Sequence, residues 1–583
     1  MPPAIPRPGG RPRTPLRASL ATPAHTTPIL YDTLLSRYTD SIRLLDPAAV
    51  EPANLWPDGD PDATALRDAC RYDGRLFAET FFPHYCTAPF NAMHLDMFAL
   101  AEYRLRHAIR GWKDVTAAPR DSGKTSVIKM LTVRDILYGH EKYIGIGSAN
   151  FEHARDKIKE IRDIFTENAE IMRVYGAQET GMHASPGRWA EHDFITRTGV
   201  RCRAFTPKMK TRGFLWDGRR LTLALLDDVE DPEMVLTPLR RDRLLLWLQS
   251  DIAKLGEPDM CMSIIGTVLH PESMLKKVLG NPGFRARTYR AITRFADTDE
   301  ALRLWGEWRE MVLDLDNEAR LAHAHQFYLD HEPAMLAESE VFWEARQSYE
   351  WLMLDRLIFG EQAFWQERQN DPQQDARFIF DMDAACRFTI QDDYLVRDDG
   401  KLVHFLDMTA LCGYWDPTPD RMQQRGDLTC FVVMMKDKYN YLYLVDTYCS
   451  QEPSTEVAMD AIVDLIWYWR IPQIGIEINS FASLLPNELR RKIAARAEVE
   501  QSPWAVSFVP IKNMRNKILR IKSLDPLVAN NWLAFADTLP PLFIQTFRDF
   551  IPVEGANKFD DPMDATEGAC RVIGGLYDRR AAF

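Results

Sequence analysis

Apolar residues in the first half of this chain come in short runs, separated by longer stretches with helical spacing. From about 70 to 295 the two alternate, as a mainly parallel sheet flanked by helices requires. Leu223–Leu226 and Met262–Ile265 are such runs, and a helix is expected from near Ser126. Between about 296 and 375 the runs give way to Trp, Glu, Leu, Ala and Arg at helical spacing, as at Leu304, Trp305, Trp308, Trp343, Tyr349 and Leu352. This predicts a helical connector. Beyond 376, strand-like runs at Leu411–Trp415, Thr429–Met435 and Tyr441–Val445 precede a helix over Thr455–Arg470 and a further strand over Ile474–Ile478. No internal repeat interrupts the series. The expected fold class is α/β: a disordered basic arm over 1–30, a first α/β domain over 31–295, a helical connector over 296–375, and a second α/β domain over 376–583.

Composition narrows this only in places. With 583 residues and 46% hydrophobic content, the chain is large enough for two or three packed domains. A formal net charge of −13 excludes a broadly basic surface, so any DNA binding must be local. The nine cysteines, from Cys70 to Cys570, are scattered and never form a CxxC pair, which predicts free thiols. No apolar run is long enough to span a bilayer, and the N-terminus lacks the apolar core of a secretory signal, so a soluble intracellular protein without a membrane partner is expected.

Chemistry enters at Ala118-Pro119-Arg120-Asp121-Ser122-Gly123-Lys124-Thr125, which keeps the spacing of a P-loop with Ala118 in place of the leading Gly. Backbone N–H groups around Ser122 and Gly123, and the N-terminus of the following helix, would surround the phosphates of ATP. Lys124 would contact the β and γ phosphates and Thr125 would hold Mg²⁺. Asp121 is repelled by a triphosphate unless it points outward or pairs with a base. About a hundred residues on, Leu223–Glu230 reads as an apolar strand ending in carboxylates. Asp227 is placed to complete the Mg²⁺ shell, and Asp228 or else Glu230 to polarise the attacking water. A buried strand capped by an acidic turn also occurs for structural reasons alone. Gly266 and Thr267 end another strand, where small polar residues can sense the γ-phosphate. Arg120, Arg212 and the pair Arg219–Arg220 are candidates for stabilising transition-state charge, in cis or across a subunit interface.

The second half offers a different set. Asp416 ends the first strand of the meander, Glu477 lies within the strand Ile474–Asn479, and Asp564 falls at a helix start in Asp560-Asp561-Pro562-Met563-Asp564-Ala565. A Glu inside an apolar strand needs a cation or a paired base, because an uncompensated buried charge costs several kcal/mol. Carboxylates brought together from separate elements are what two Mg²⁺ or Mn²⁺ ions need for phosphodiester cleavage. Three strands in a meander, a helix, a strand and a late acidic helix is the order in which an RNase H-like nuclease assembles its site.

Over residues 75 to 575 these motifs resemble those of phage large terminases. Phe81-Phe82-Pro83-His84-Tyr85 and His94 match the stretch near that family's adenine site, and Pro119, Arg120, Gly123, Lys124 and Thr125 match its loop, from which Asp121 departs. Thr211-Arg212-Gly213, Asp227-Asp228 and Gly266-Thr267 follow in its order, and Phe364, Gln366, Glu367 and Asp371-Pro372 resemble its lead into the nuclease. Gly413–Pro417, Gly426-Asp427, Glu477 and Asp560–Ala565 resemble its nuclease motifs, with Asp561 as a candidate auxiliary acid and Asp427 as either an auxiliary acid or a hairpin Asp. Lys517, Arg520 and Lys522 resemble its basic segment, which would either touch DNA phosphate or form a solvated helix face. The resemblance implies ATP-driven translocation of double-stranded viral DNA into procapsids and metal-dependent cutting of concatemers. It also implies a small terminase subunit and the portal protein as partners, a homo-oligomeric ring of about five, and a place in the bacterial cytoplasm, docked transiently at the portal and absent from the mature virion. Two rival readings use the same residues: an ATPase–nuclease of DNA repair or phage defence, which needs a second ATPase-type lobe, and a DNA-gripping assembly ATPase that no longer cuts.

Overall fold

The computed structural model describes residues 56–57, 59–179, 189–209, 214–372, 379–417, 428–451, 454–477, 485–511, 513, 516–552, 557 and 559–574. The expected arm over 1–30, Arg212 and Asp427 lie outside these residues.

The first half is built on a seven-stranded sheet. Its strands are β1 (Lys113–Ala117), β2 (Tyr143–Gly147), β3 (Asp193–Ile195), β4 (Arg201–Phe205), β5 (Leu221–Asp227), β6 (Gly256–Gly266) and β7 (Arg285–Thr288), in the order β3-β4-β2-β5-β6-β1-β7. Every pairing is parallel except that of β3 with β4. Strands at the centre of a parallel sheet are covered on both faces and so read as continuous apolar runs. That is why Leu221–Leu226 shows no alternation: one apolar cluster lies on each side, with Leu223 and Leu225 in one and Leu221, Ala224 and Leu226 in the other. At the carboxyl ends of β1, β5 and β6 the chain leaves the sheet at Ala117, Asp227 and Gly266, so the three motifs arrive at one edge.

Four helices follow, Asp299–Leu313, Arg320–Met335, Tyr349–Phe359 and Glu361–Glu367, together with a ribbon of β8 (Ile292–Arg294) and β9 (Glu340–Val341). Trp305, Trp308, Tyr328, Tyr349 and Leu352 form their own buried cluster, which explains the aromatic helical spacing of this stretch.

The last part carries a nine-stranded mixed sheet. Its strands are β10 (Arg387–Gln391), β11 (Tyr394–Arg397), β12 (Leu402–His404), β13 (Met408–Asp416), β14 (Thr429–Asp437), β15 (Leu442–Ser450), β16 (Gln473–Glu477), β17 (Ser507–Ile511) and β18 (Leu533–Ala536), in the order β12-β11-β10-β18-β15-β14-β13-β16-β17. The meander β13-β14-β15 is antiparallel, helix Thr455–Trp469 crosses over, and β16 returns parallel to β13. The hairpin β10–β12 and the parallel strand β18 extend the sheet beyond what periodicity indicates.

One expectation fails here. Cys430 and Cys449 are directly opposed in the β14–β15 register and form a disulfide, with Cα atoms 4.4 Å apart, while the other seven cysteines are free. Only the pairing of the two strands brings them together, and spacing along the chain carries no sign of it.

Candidate functional site

Two clusters of functional side chains emerge. The first is a cleft at the carboxyl edge of the parallel sheet. Gly123 takes a left-handed conformation, φ +78°, immediately before helix Lys124–Leu137. A Cβ there would sit 2.8 Å from His94 Nε2, so the turn needs glycine for its conformation and for space. His94 supports the loop from below, with Nε2 2.7 Å from the Ser122 carbonyl, and Asn91 Nδ2 donates to the same oxygen at 3.3 Å. Burial of His94 holds its imidazole below the usual histidine range.

Lys124 Nζ donates to Thr267 Oγ1 at 2.8 Å and lies 3.3 Å from Asp228 Oδ1, while Thr125 Oγ1 donates to Asp227 Oδ2 at 3.0 Å. The loop, the acids after β5 and the end of β6 are thus in direct contact. Asp227 is buried and also meets Lys157 Nζ at 2.7 Å, a partner with no motif to mark it. Its other oxygen, Oδ1, has no hydrogen-bond partner among the described residues. A buried carboxylate oxygen beside a threonine hydroxyl, left unpaired, fits the shell of a hard divalent cation. A cavity of about 270 Å³ opens beside these groups, lined among others by Arg120, Lys124, Asp228, Glu230, Thr267 and Glu367.

The two candidate bases differ in surroundings. Glu230 accepts from the Met274 and Leu275 amides at 2.7 and 3.1 Å, at the N-terminus of helix Met274–Leu279, and burial pushes its carboxyl up to about 7. Asp228 stands at the cleft, 45% exposed, with Lys124 as its ionic partner. Arg219 and Arg220 lie at the opposite end of β5 from the acids, and Arg220 N donates to Glu257 Oε1.

The second cluster lies on the mixed sheet. Asp416 ends β13, Glu477 ends β16 in the neighbouring position, and Asp564 comes from the first turn of helix Asp561–Val572. One carboxylate oxygen from each lies within 4.8 Å of the other two. Gly568 makes this approach possible: a Cβ there would fall 2.2 Å from the Tyr414 ring, so only glycine lets the helix lie this close to β13. Burial pushes Asp564 up to about 7 and Asp416 well above the usual carboxylate range, and the neighbouring acids push in the same direction. Three clustered carboxylate oxygens, two of them from groups that burial holds back from ionising without a counter-charge, suit a divalent cation.

Bases partly supply that charge. Lys517 Nζ lies 2.6 Å from Asp560, 2.7 Å from Asp561 and 3.9 Å from Asp564, and Arg520 holds Asp564 at 2.5 Å. The basic segment therefore turns inward, and the expectation that Lys517 and Arg520 contact DNA phosphate is corrected by these ion pairs. Lys522 is half-buried, and desolvation lowers its ammonium below the usual lysine range. Asp561 also accepts from Leu428 N at 2.9 Å, so it ties the start of β14 to the last helix. Asn513 is a site residue that the sequence does not reveal. Its Nδ2 donates to Glu477 at 2.7 Å while its Oδ1 accepts from Arg571, an amide bridging sheet and helix that no sequence motif announces.

Residues 413–570 match the family model described as the terminase RNaseH-like domain. Similar solved structures include the large terminase of a thermophilic bacteriophage, 11% identical over 84% of this chain and 100% of that one, with a TM-score of 0.45. The ATPase domain of the Thermus phage P74-26 large terminase is 14% identical over 50% of this chain and 98% of its own, with a TM-score of 0.27. The human cytomegalovirus terminase nuclease domain is 11% identical over 30% of this chain and 85% of its own, with a TM-score of 0.23. No curated protein matches the sequence.

Proposed function

We propose that this chain is a phage large terminase, which drives double-stranded viral DNA into procapsids by ATP hydrolysis and cuts concatemeric DNA with divalent metal ions. The observation that carries the reading is the convergence of Asp416, Glu477 and Asp564, from two strands and a helix, on a volume the size of one ion's coordination shell.

In this reading residues 31–295 form the ATPase domain, 296–375 the connector and 376–583 the nuclease, with 1–30 as an arm. Ser122, Gly123 and Lys124 hold the phosphates, Arg120 stands at the lip, and Thr125 and Asp227 hold Mg²⁺. Asp228 activates water, because both oxygens of Glu230 are already committed to backbone amides. When Lys124 turns to the phosphates, Asp228 loses its ionic partner and is left facing the cleft. Gly266 and Thr267 report the loss of the γ-phosphate through the Lys124–Thr267 contact. In the nuclease, Asp416, Glu477 and Asp564 hold two Mg²⁺ or Mn²⁺ ions that activate water and stabilise the leaving oxygen. Asp561 and Asp427 are auxiliary acids, and Arg212 is a candidate for acting in trans. The partners are duplex DNA, the small terminase subunit, the portal and further copies of this chain in a ring of about five. The protein then works in the cytoplasm of the bacterial host, docks transiently at the procapsid portal, and is absent from the mature virion. Among the described residues no helix is long and apolar enough to cross a membrane.

Plasmid cleavage in Mn²⁺ tests the nuclease half. The chain is expected to linearise supercoiled DNA, and Asp416→Ala or Glu477→Ala to lower the rate by at least about a hundredfold, the scale on which metal-held transition-state charge acts. Cleavage that persists in both variants contradicts the assignment.

A further inference from the structure

The connector reaches back over 200 positions in sequence to grip the loop before Gly123. Arg368 is almost fully buried. Its Nε and Nη2 form a two-pronged pair with Asp355 at 3.1 and 3.0 Å, and its guanidinium lies 4.8 Å over the Trp351 ring. Such an Arg is fixed in direction before it meets anything else. What it meets is the nucleotide loop: Nη1 donates to the Arg120 carbonyl at 2.9 Å and to Asp121 Oδ2 at 3.1 Å. Three further contacts bind the same lip, from Arg120 N to the Glu367 carbonyl, from Arg120 Nη1 to Glu367 Oε2, and from Gln347 Nε2 to the Arg120 carbonyl. Two residues on, the buried Asn370 accepts from Val268 N at 2.9 Å, directly after Thr267 on the facing lip. One short connector segment thus touches both sides of the cleft.

Asp121 has a left-handed backbone, φ +60°, and places a carboxylate in a loop built to receive polyphosphate. Unpaired, that charge opposes ATP. We propose that Arg368 is a positioning residue for nucleotide binding, drawing the Asp121 carboxylate to the connector side and away from the phosphates. The inference rests on the reading of this cleft as an ATP site. Its consequence is that connector and loop are coupled: displacing the connector frees Asp121 to repel ATP, and bound ATP favours the docked connector by the same free energy.

Steady-state ATP turnover by the full chain with Mg²⁺ tests this in four forms: wild type, Arg368→Gln, Asp121→Gly and the double variant. Arg368→Gln should raise the KM for ATP by about tenfold with kcat within about twofold, since one uncompensated charge near a polyphosphate at the effective dielectric of a protein surface is of that order. The double variant should return to within about twofold of the Asp121→Gly KM, a rescue that a purely structural role for Arg368 would not give. An unchanged KM in Arg368→Gln, or a double variant as weak as Arg368→Gln alone, overturns the proposal. If Arg368→Gln does not fold because it strands the buried Asp355 carboxylate, Arg368→Gln with Asp355→Asn, with and without Asp121→Gly, carries the same comparison, and the same two results support or overturn it. A wild-type chain that neither binds nor turns over ATP contradicts the reading of the cleft itself, an outcome distinct from normal turnover indifferent to Arg368.

Discussion

Asp228 and Glu230, two residues apart after the same strand, are given different tasks by their partners. Glu230 caps helix Met274–Leu279 with both oxygens, whereas the half-exposed Asp228 carboxylate faces the cleft with the Lys124 ammonium as its ionic partner. Asp228→Asn should therefore lower kcat for ATP by about a hundredfold or more with little change in thermal stability. Glu230→Gln turns an amide toward two backbone donors it cannot fully accept, and should cost about 1–3 kcal/mol, read as a lower midpoint in thermal or urea unfolding. The sequence leaves this choice open for a physical reason: the partners that settle it lie 44 positions downstream. The same holds for Asp121, whose departure from the expected glycine is visible in the loop while its counter-charge, 247 positions away, is not.

At the scale of elements, the meander and β16 are legible because their strands hold continuous buried apolar runs, and the crossover helix because its buried residues recur at helical spacing. The hairpin β10–β12 is not, since its exposed positions, such as Tyr394 and Leu402, blur the alternation. Helix Asp561–Val572 shows how one element makes a site. It lies so close to β13 that Gly568→Ala must push the helix off Tyr414, and the expected loss is about 1–3 kcal/mol of stability. Because Asp564 moves with the helix, Mn²⁺-dependent cleavage should fall as well, and a stability loss with full cleavage would separate packing from the site. The carboxylates also set a pH dependence. Asp564 and Glu230 have folded values near 7, raised by burial from 3.8 and 4.5, so the native state holds protons that the unfolded chain has released. Their contribution to stability is present below about 4 and is lost as the pH rises through 7. Metal-free protein should accordingly lose thermal stability between about pH 5 and about pH 8, and added Mn²⁺ should raise the unfolding midpoint more at the upper end of that window than at the lower. The opposite order in calorimetry would contradict the assigned ligands.

Across the whole molecule, two sheets of different topology present their acids at strand ends, and a helical segment with its own aromatic core lies between them in the chain. The α/β class and the order of motifs can be read from pattern, because both depend on local runs. The disulfide Cys430–Cys449, the inward turn of Lys517 and Arg520, and the hold of the connector on the nucleotide loop cannot, because each joins elements that only the folded chain brings together. The acidic cluster at the second sheet is nevertheless built from three residues that the sequence does mark. Anomalous diffraction at the manganese edge, from crystals of the full chain equilibrated with Mn²⁺, tests that assignment most directly. A peak is expected within about 2.0–2.6 Å of oxygens from Asp416, Glu477 and Asp564 together, the range of oxygen ligation by hard divalent cations. Ordered carboxylates with manganese bound elsewhere, or with these three side chains too far apart to share an ion, would contradict the account.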